Sequence, residues 1–107
     1  MVFAMKIKVT AKSYPQEVLK SKTPVLVEFY AAWCRKCAMM ESILDELADE
    51  YDGRVKVCQI NIDDNKALAA EIGIGVVPTF VVFKWGKPVA AASGILSKNV
   101  LVDMIKT

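Results

Sequence analysis

Apolar and polar positions along the chain fall into short blocks that alternate between strand and helix periods. Val25–Tyr30 (VLVEFY) is an almost unbroken apolar, β-prone run, the pattern of a central strand buried on both faces. Glu28 interrupts it with a carboxylate. From about Cys34 to Tyr51 the period changes. Cys37, Met40, Leu44, Leu47 and Tyr51 recur at steps of three and four and draw one apolar helix face, which Asp52-Gly53 ends. Val55–Ile62 (VKVCQINI) is again β-rich, and Ala67–Ile72 is a short helix stopped by Gly73.

The ends of the chain follow the same logic. Lys6–Val9 is a short first strand. Ser13 is placed to cap a helix with Pro15 in its first turn, which ends near Lys20 before the breakers of Ser21–Pro24. After Pro78, Thr79–Lys84 is a strand, Trp85-Gly86 a turn and Lys87–Ala92 the returning arm of a hairpin. Ser97 caps a last helix that buries Val100, Leu101, Met104 and Ile105. The order β-α-β-α-β-α-β-β-α puts parallel crossovers first and an antiparallel hairpin last. It implies an α/β fold with a mixed sheet covered by helices on both faces.

Composition narrows the function. At 107 residues the chain fits one domain, 1–107, and 54% hydrophobic residues supply a core. The net charge is +2 and no basic run argues for nucleic acid or an anionic membrane. No apolar stretch approaches the roughly 20 residues of a membrane span. Residues 1–5 lack a basic leader and Lys6 follows at once, so a cytoplasmic location is expected. The chain has no histidine, which removes the commonest catalytic base and metal ligand. Three cysteines are too few, and odd in number, for a secreted disulfide framework.

Trp33-Cys34-Arg35-Lys36-Cys37 is the chemistry-bearing segment. It follows a buried strand and opens a helix. A sulfur at that point meets unpaired backbone N–H groups and the positive end of the helix dipole. Both favour the thiolate, the form that attacks disulfides. Arg35 and Lys36 add two cations in the same sense. Cys37 is one helical turn on, within bridging reach, and begins the apolar face. The pair reads as an exposed attacking sulfur with a sheltered resolving one behind it. Half of a zinc site is the competing reading, but only Cys58 remains as a further thiol ligand. Cys58 itself, within a β run, reads as buried and inert.

Taken together, VLVEFYAAWCRKC, ILDELADEY, VKVCQINIDDN, GVVPTF, FKWGKP and SGILSK resemble, in order and spacing, the thioredoxin family over nearly the whole chain. The resemblance implies a thioredoxin fold, with a central mixed sheet of roughly four to five strands. It implies a protein-disulfide reductase with no bound cofactor beyond a redox-active Cys34–Cys37 disulfide. Cys34 would be the nucleophile and Cys37 the resolver. Taken alone, Pro78 is a trans proline opening an edge strand; the resemblance makes it a cis-proline facing the cysteines. Val77 would offer its backbone to a substrate segment, and Trp33, Val76 and Gly94 would form an apolar rim. Implied partners are a thioredoxin reductase, NADPH- or ferredoxin-linked, and proteins carrying disulfides, met by a monomer active in electron transport and cell redox homeostasis.

Several positions depart from the family pattern. Arg35-Lys36 replace the usual Gly-Pro between the cysteines. Cations there stabilise the reduced form, so a less reducing couple is expected. Ser42 replaces a kinking proline, so a straighter helix is expected. Glu28 stands where the family has a buried aspartate. Taken alone, it is either a strand-edge glutamate reaching solvent or a buried acid with a raised pKa. The resemblance makes it the proton acceptor for Cys37, through a water. Gln59 replaces a lysine near that acid, which would deprive it of a cationic neighbour. A glutathione-dependent, glutaredoxin-like enzyme and a binding module with incidental thiols remain as alternatives.

Overall fold

The computed structural model describes residues 5–107. Five strands, β1 (Ile7–Lys8), β2 (Val25–Tyr30), β3 (Lys56–Asn61), β4 (Thr79–Lys84) and β5 (Lys87–Ser93), form one mixed sheet in the order β1-β3-β2-β4-β5. β3 pairs in parallel with β1 and β2, while β4 pairs antiparallel with β2 and β5. β2 is therefore the sheet's central strand, and five of its six residues are buried. That explains its near-continuous apolar run, because a strand covered on both faces has no solvent side to make polar.

One side of the sheet packs Leu26, Val57, Phe80 and Val82 against Met40, Leu44, Leu47 and Leu101 of the helices. The opposite side packs Val25, Val27, Phe29, Ile60 and Val81 with Tyr14, Val18 and Leu68. Helices thus cover both faces, as expected. They are α1 (Arg35–Met39), α2 (Glu41–Glu50), α3 (Lys66–Ile72) and α4 (Lys98–Ile105), with a single π-type turn at Pro15–Leu19. Gly73 ends α3 at φ +88, where an L side chain would be strained. Trp85 (φ 53) and Gly86 (φ 76) close the β4–β5 hairpin with two positive φ values, the geometry a twisted two-residue turn requires.

Three expectations are corrected. Ser13 does not cap the first helix: Tyr14 holds the cap position and the Ser13 hydroxyl closes a local loop with Thr10. The long helix expected from about Cys34 to Tyr51 does not run unbroken. It breaks at Met40, whose N–H bonds the Cys37 carbonyl three residues back. The break coincides with a fully buried Met40 and with Glu41 drawn onto Lys6, just before β1, and onto Gln59 of β3, while Ser42 lies exposed beyond it. Val100 is exposed, leaving Leu101, Met104 and Ile105 as the buried face of α4. The reading of residues 1–5 as lacking a leader falls, for residues 1–4, outside the described residues.

Candidate functional site

The site lies where β2 ends and α1 begins. β2 delivers the chain to Ala31, and Cys34 takes an extended conformation (φ −85, ψ 108) as the N-cap of α1. Its Sγ accepts the Cys37 backbone N–H at 3.1 Å, as a serine or aspartate oxygen does in an ordinary cap. Cys34 and Cys37 are joined by a disulfide, their Cα atoms 5.3 Å apart. With Ala31 they form a small cluster packed against Tyr30, Ile62 and Val77.

The expected contrast in exposure is corrected. Cys34 is 7% and Cys37 4% exposed, so neither sulfur-bearing residue stands out into solvent. Both cysteines sit in the cluster against which Tyr30, Ile62 and Val77 pack, and a shallow hollow opens beside them. That hollow, about 230 Å³, is lined by Lys8, Tyr30, Cys34, Cys37 and Glu41 among others. Larger apolar grooves of about 440 and 460 Å³ lie beside Tyr14, Leu19 and Ile72, but no cysteine lines them.

The remaining residues singled out by sequence fall as follows. The Val77–Pro78 peptide is cis and Pro78 is buried. Val77 packs on the cysteine cluster and lies just outside the β4 ladder, which begins at Thr79. Trp33 is 71% exposed, and its Nε1 donates to Asp63 Oδ2 at 2.8 Å, which fixes the indole in place. Val76 is exposed, and Gly94 (φ 96) donates its N–H to the Pro78 carbonyl at 2.9 Å. Arg35 and Lys36 are exposed on α1. Cys58 is fully buried in β3, and burial pushes its thiol up to about 12.

Glu28 does not reach solvent: it is 0% exposed in the middle of β2. Burial pushes its carboxyl up from 4.5 to about 7, against a lowering hydrogen bond from Gln59. Gln59 Nε2 donates to Glu28 Oε1 and to Glu41 Oε1, both at 2.8 Å. Lys6 in turn binds Glu41 and, at 3.0 Å, Asp45. Burial disfavours the Lys6 charge, but those two carboxylates outweigh it and hold its pKa above the usual lysine range. The loss of a lysine at position 59 thus does not strip the acid of cations, since Lys6 and Lys8 on the β1 side both act on Glu28.

Sequence reasoning missed Glu41, Lys6 and Asp63. The only signal for Glu41 was its spacing, four residues after Cys37 and so on the same helix face.

The thioredoxin family model matches residues 5–107. The chain belongs to the thioredoxin family. It is 43% identical over 97 residues to thioredoxin of Pyropia yezoensis, covering 91% of each chain. It is 42% identical to thioredoxin 1 of Nostoc sp. and 43% identical to thioredoxin of Pseudomonas aeruginosa, each alignment covering 92% of both chains. As in a thioredoxin, the cysteine pair opens a helix after the central strand of a mixed sheet. The chain is a dithiol–disulfide oxidoreductase, with Cys34 and Cys37 as its redox couple. Thioredoxin-family partners are, in general terms, a reductase and proteins that carry disulfides. Among the described residues no helix is long and apolar enough to cross a membrane.

Proposed function

We propose that the chain works as one thioredoxin domain, 1–107, in which Cys34 attacks and Cys37 resolves. The observation that carries this order is Cys34's place as the cap of α1, with its Sγ on a backbone N–H. When the disulfide is open, the same N–H and the start of the helix favour a thiolate on Cys34. That thiolate attacks one sulfur of a partner's disulfide. A Cys34–partner bond forms, the partner's own bond breaks, and its other sulfur leaves as a thiolate that takes up a proton.

Cys37 then gives its proton, through a water, to Glu28 and attacks the Cys34 sulfur. The mixed disulfide breaks, the departing partner sulfur takes up the proton that Glu28 returns, the partner leaves with two thiols, and the Cys34–Cys37 bond is restored. Two electrons pass to the partner and no bound cofactor takes part. The role of Glu28 is supported by its full burial and by a carboxyl near 7, poised to accept and return a proton at neutral pH. Trp33, Val76, Val77 and Gly94 form the surface on which a partner segment lies, with Val77 pairing to it by its backbone and the buried Pro78 following Val77 in a cis peptide.

In the cell the oxidised form is reduced by a thioredoxin reductase drawing on NADPH or ferredoxin. The chain serves electron transport and redox homeostasis in the cytoplasm as a monomer. Turnover of a protein disulfide in the presence of dithiothreitol tests the order of attack. Loss of turnover in Cys34→Ser, with a stable mixed disulfide accumulating in Cys37→Ser, is the expected result; full activity of Cys34→Ser would refute it.

A further inference from the structure

Glu28 is sealed within the sheet, yet a continuous line of polar contacts leads from it to the hollow beside the cysteines. The Gln59 side-chain amide spans Glu28 Oε1 and Glu41 Oε1, one hydrogen available for each. Glu41 lines the same hollow as Cys34 and Cys37. Lys6 ties Glu41 to Asp45. Within this line, Glu28 Oε2 and Gln59 Oε1 are buried and have no partner among the described protein groups. The Glu28 carboxyl therefore depends on one donor, and the aim of that donor depends on Glu41.

We propose that Glu41 is a positioning residue for Glu28: it holds the Gln59 amide against the buried acid, and its own charge sets the electrical environment of that acid. Without Glu41 the amide has nothing at its outer end to fix its rotation. Glu41 also places a negative charge on the hollow side of Glu28. The other groups acting on Glu28 are Lys6 and Lys8 from the β1 side and Gln59 from β3. From β4 the register partner is the apolar Phe80.

The two contributions have opposite signs, which makes them separable. The negative charge of Glu41 favours a proton on Glu28, whereas donation from Gln59 favours the ionised form. Glu41→Gln removes the charge but keeps an oxygen for the Gln59 amide. Glu41→Ala removes both.

The inference deepens the reading of Glu28 as proton acceptor and rests on it. The test is the pH titration of the Glu28 carboxyl carbon by NMR in the disulfide form, where neither Cys34 nor Cys37 titrates. Glu41→Gln should lower the midpoint by about half a pH unit or more, about threefold in the protonated-to-ionised ratio. Glu41→Ala should lie above Glu41→Gln, because the Gln59 donation is then lost. An unmoved midpoint in Glu41→Gln, or coincident midpoints in the two variants, would overturn the proposal. A midpoint that moves as expected while the resolving step keeps its pH profile supports the positioning role and refutes only the assignment of Glu28 as acceptor.

Discussion

The chain carries cysteines in two environments. Cys58 sits mid-strand in β3, fully buried, its thiol pushed up to about 12. Cys34 and Cys37 are also buried by residue, at 7% and 4%, yet they form the redox couple. Burial alone does not separate them. The difference is the backbone: Cys58 lies in a ladder whose N–H groups are already paired, whereas Cys34 opens a helix and meets an amide that has no carbonyl to bond. Reactivity here is a property of position in the fold, and side-chain identity only permits it.

The largest test of that contrast is substitution within each environment. Cys34→Ser should reduce disulfide turnover by about a thousandfold or more. Cys58→Ala should leave turnover within about twofold, since a buried structural thiol takes no part in exchange. Comparable losses from the two would break the distinction.

Glu28 extends the comparison to a carboxylate placed, like Cys58, in a central strand. Its carboxyl is raised from 4.5 to about 7 in the folded chain. The folded state therefore binds more protons than the unfolded one between those values. The cost of ionising Glu28 is absent below about pH 4.5, grows as pH rises, and is complete above about pH 7. At about 1.4 kcal/mol per pKa unit the full cost is about 3 kcal/mol. Glu28→Gln should thus match wild type in stability near the acid end of that window. It should exceed wild type by up to about 3 kcal/mol on the alkaline side, by denaturant unfolding at both ends. A constant difference across the window would mean that the acid is not held protonated.

A smaller effect concerns packing. Cys58→Ala empties part of a filled core site and should cost about 1–2 kcal/mol in the same unfolding experiment. The thiol of wild-type Cys58 should resist alkylation until the protein unfolds. Smallest is the contribution of the exposed pair between the active cysteines. Replacing Arg35 and Lys36 by alanine should make the couple more reducing, by on the order of 10–30 mV against a glutathione buffer. A shift to a more oxidising value would contradict the electrostatic reading of that pair.

The parts of the fold legible in sequence are those set by local pattern. Val25–Tyr30 and Thr79–Lys84 were readable to the residue, because two-sided burial leaves a nearly continuous apolar run and Pro24, Pro78 and Trp85-Gly86 punctuate it. Cys34, Cys37, Glu28 and Pro78 stood out for the same reason, as residue types at odds with their surroundings or tied to a recognisable segment. The break at Met40 was not legible, since no proline or glycine marks it. It accompanies contacts of Glu41 to residues 18 and 35 positions away. Lys6 and Glu41 carry no mark of a shared role in the sequence, and meet only when the fold brings the start of β1, β3 and α2 together. Long-range polar pairing leaves no periodic trace in a single sequence.

The most direct measurement is to let the Cys37→Ser variant react with a protein disulfide and to map the resulting mixed disulfide by mass spectrometry. The predicted result is a partner linked to Cys34, with Cys58 unmodified. A partner linked to Cys58, or no adduct under conditions where wild type turns over, would contradict the assignment of the helix-capping sulfur as the attacking group.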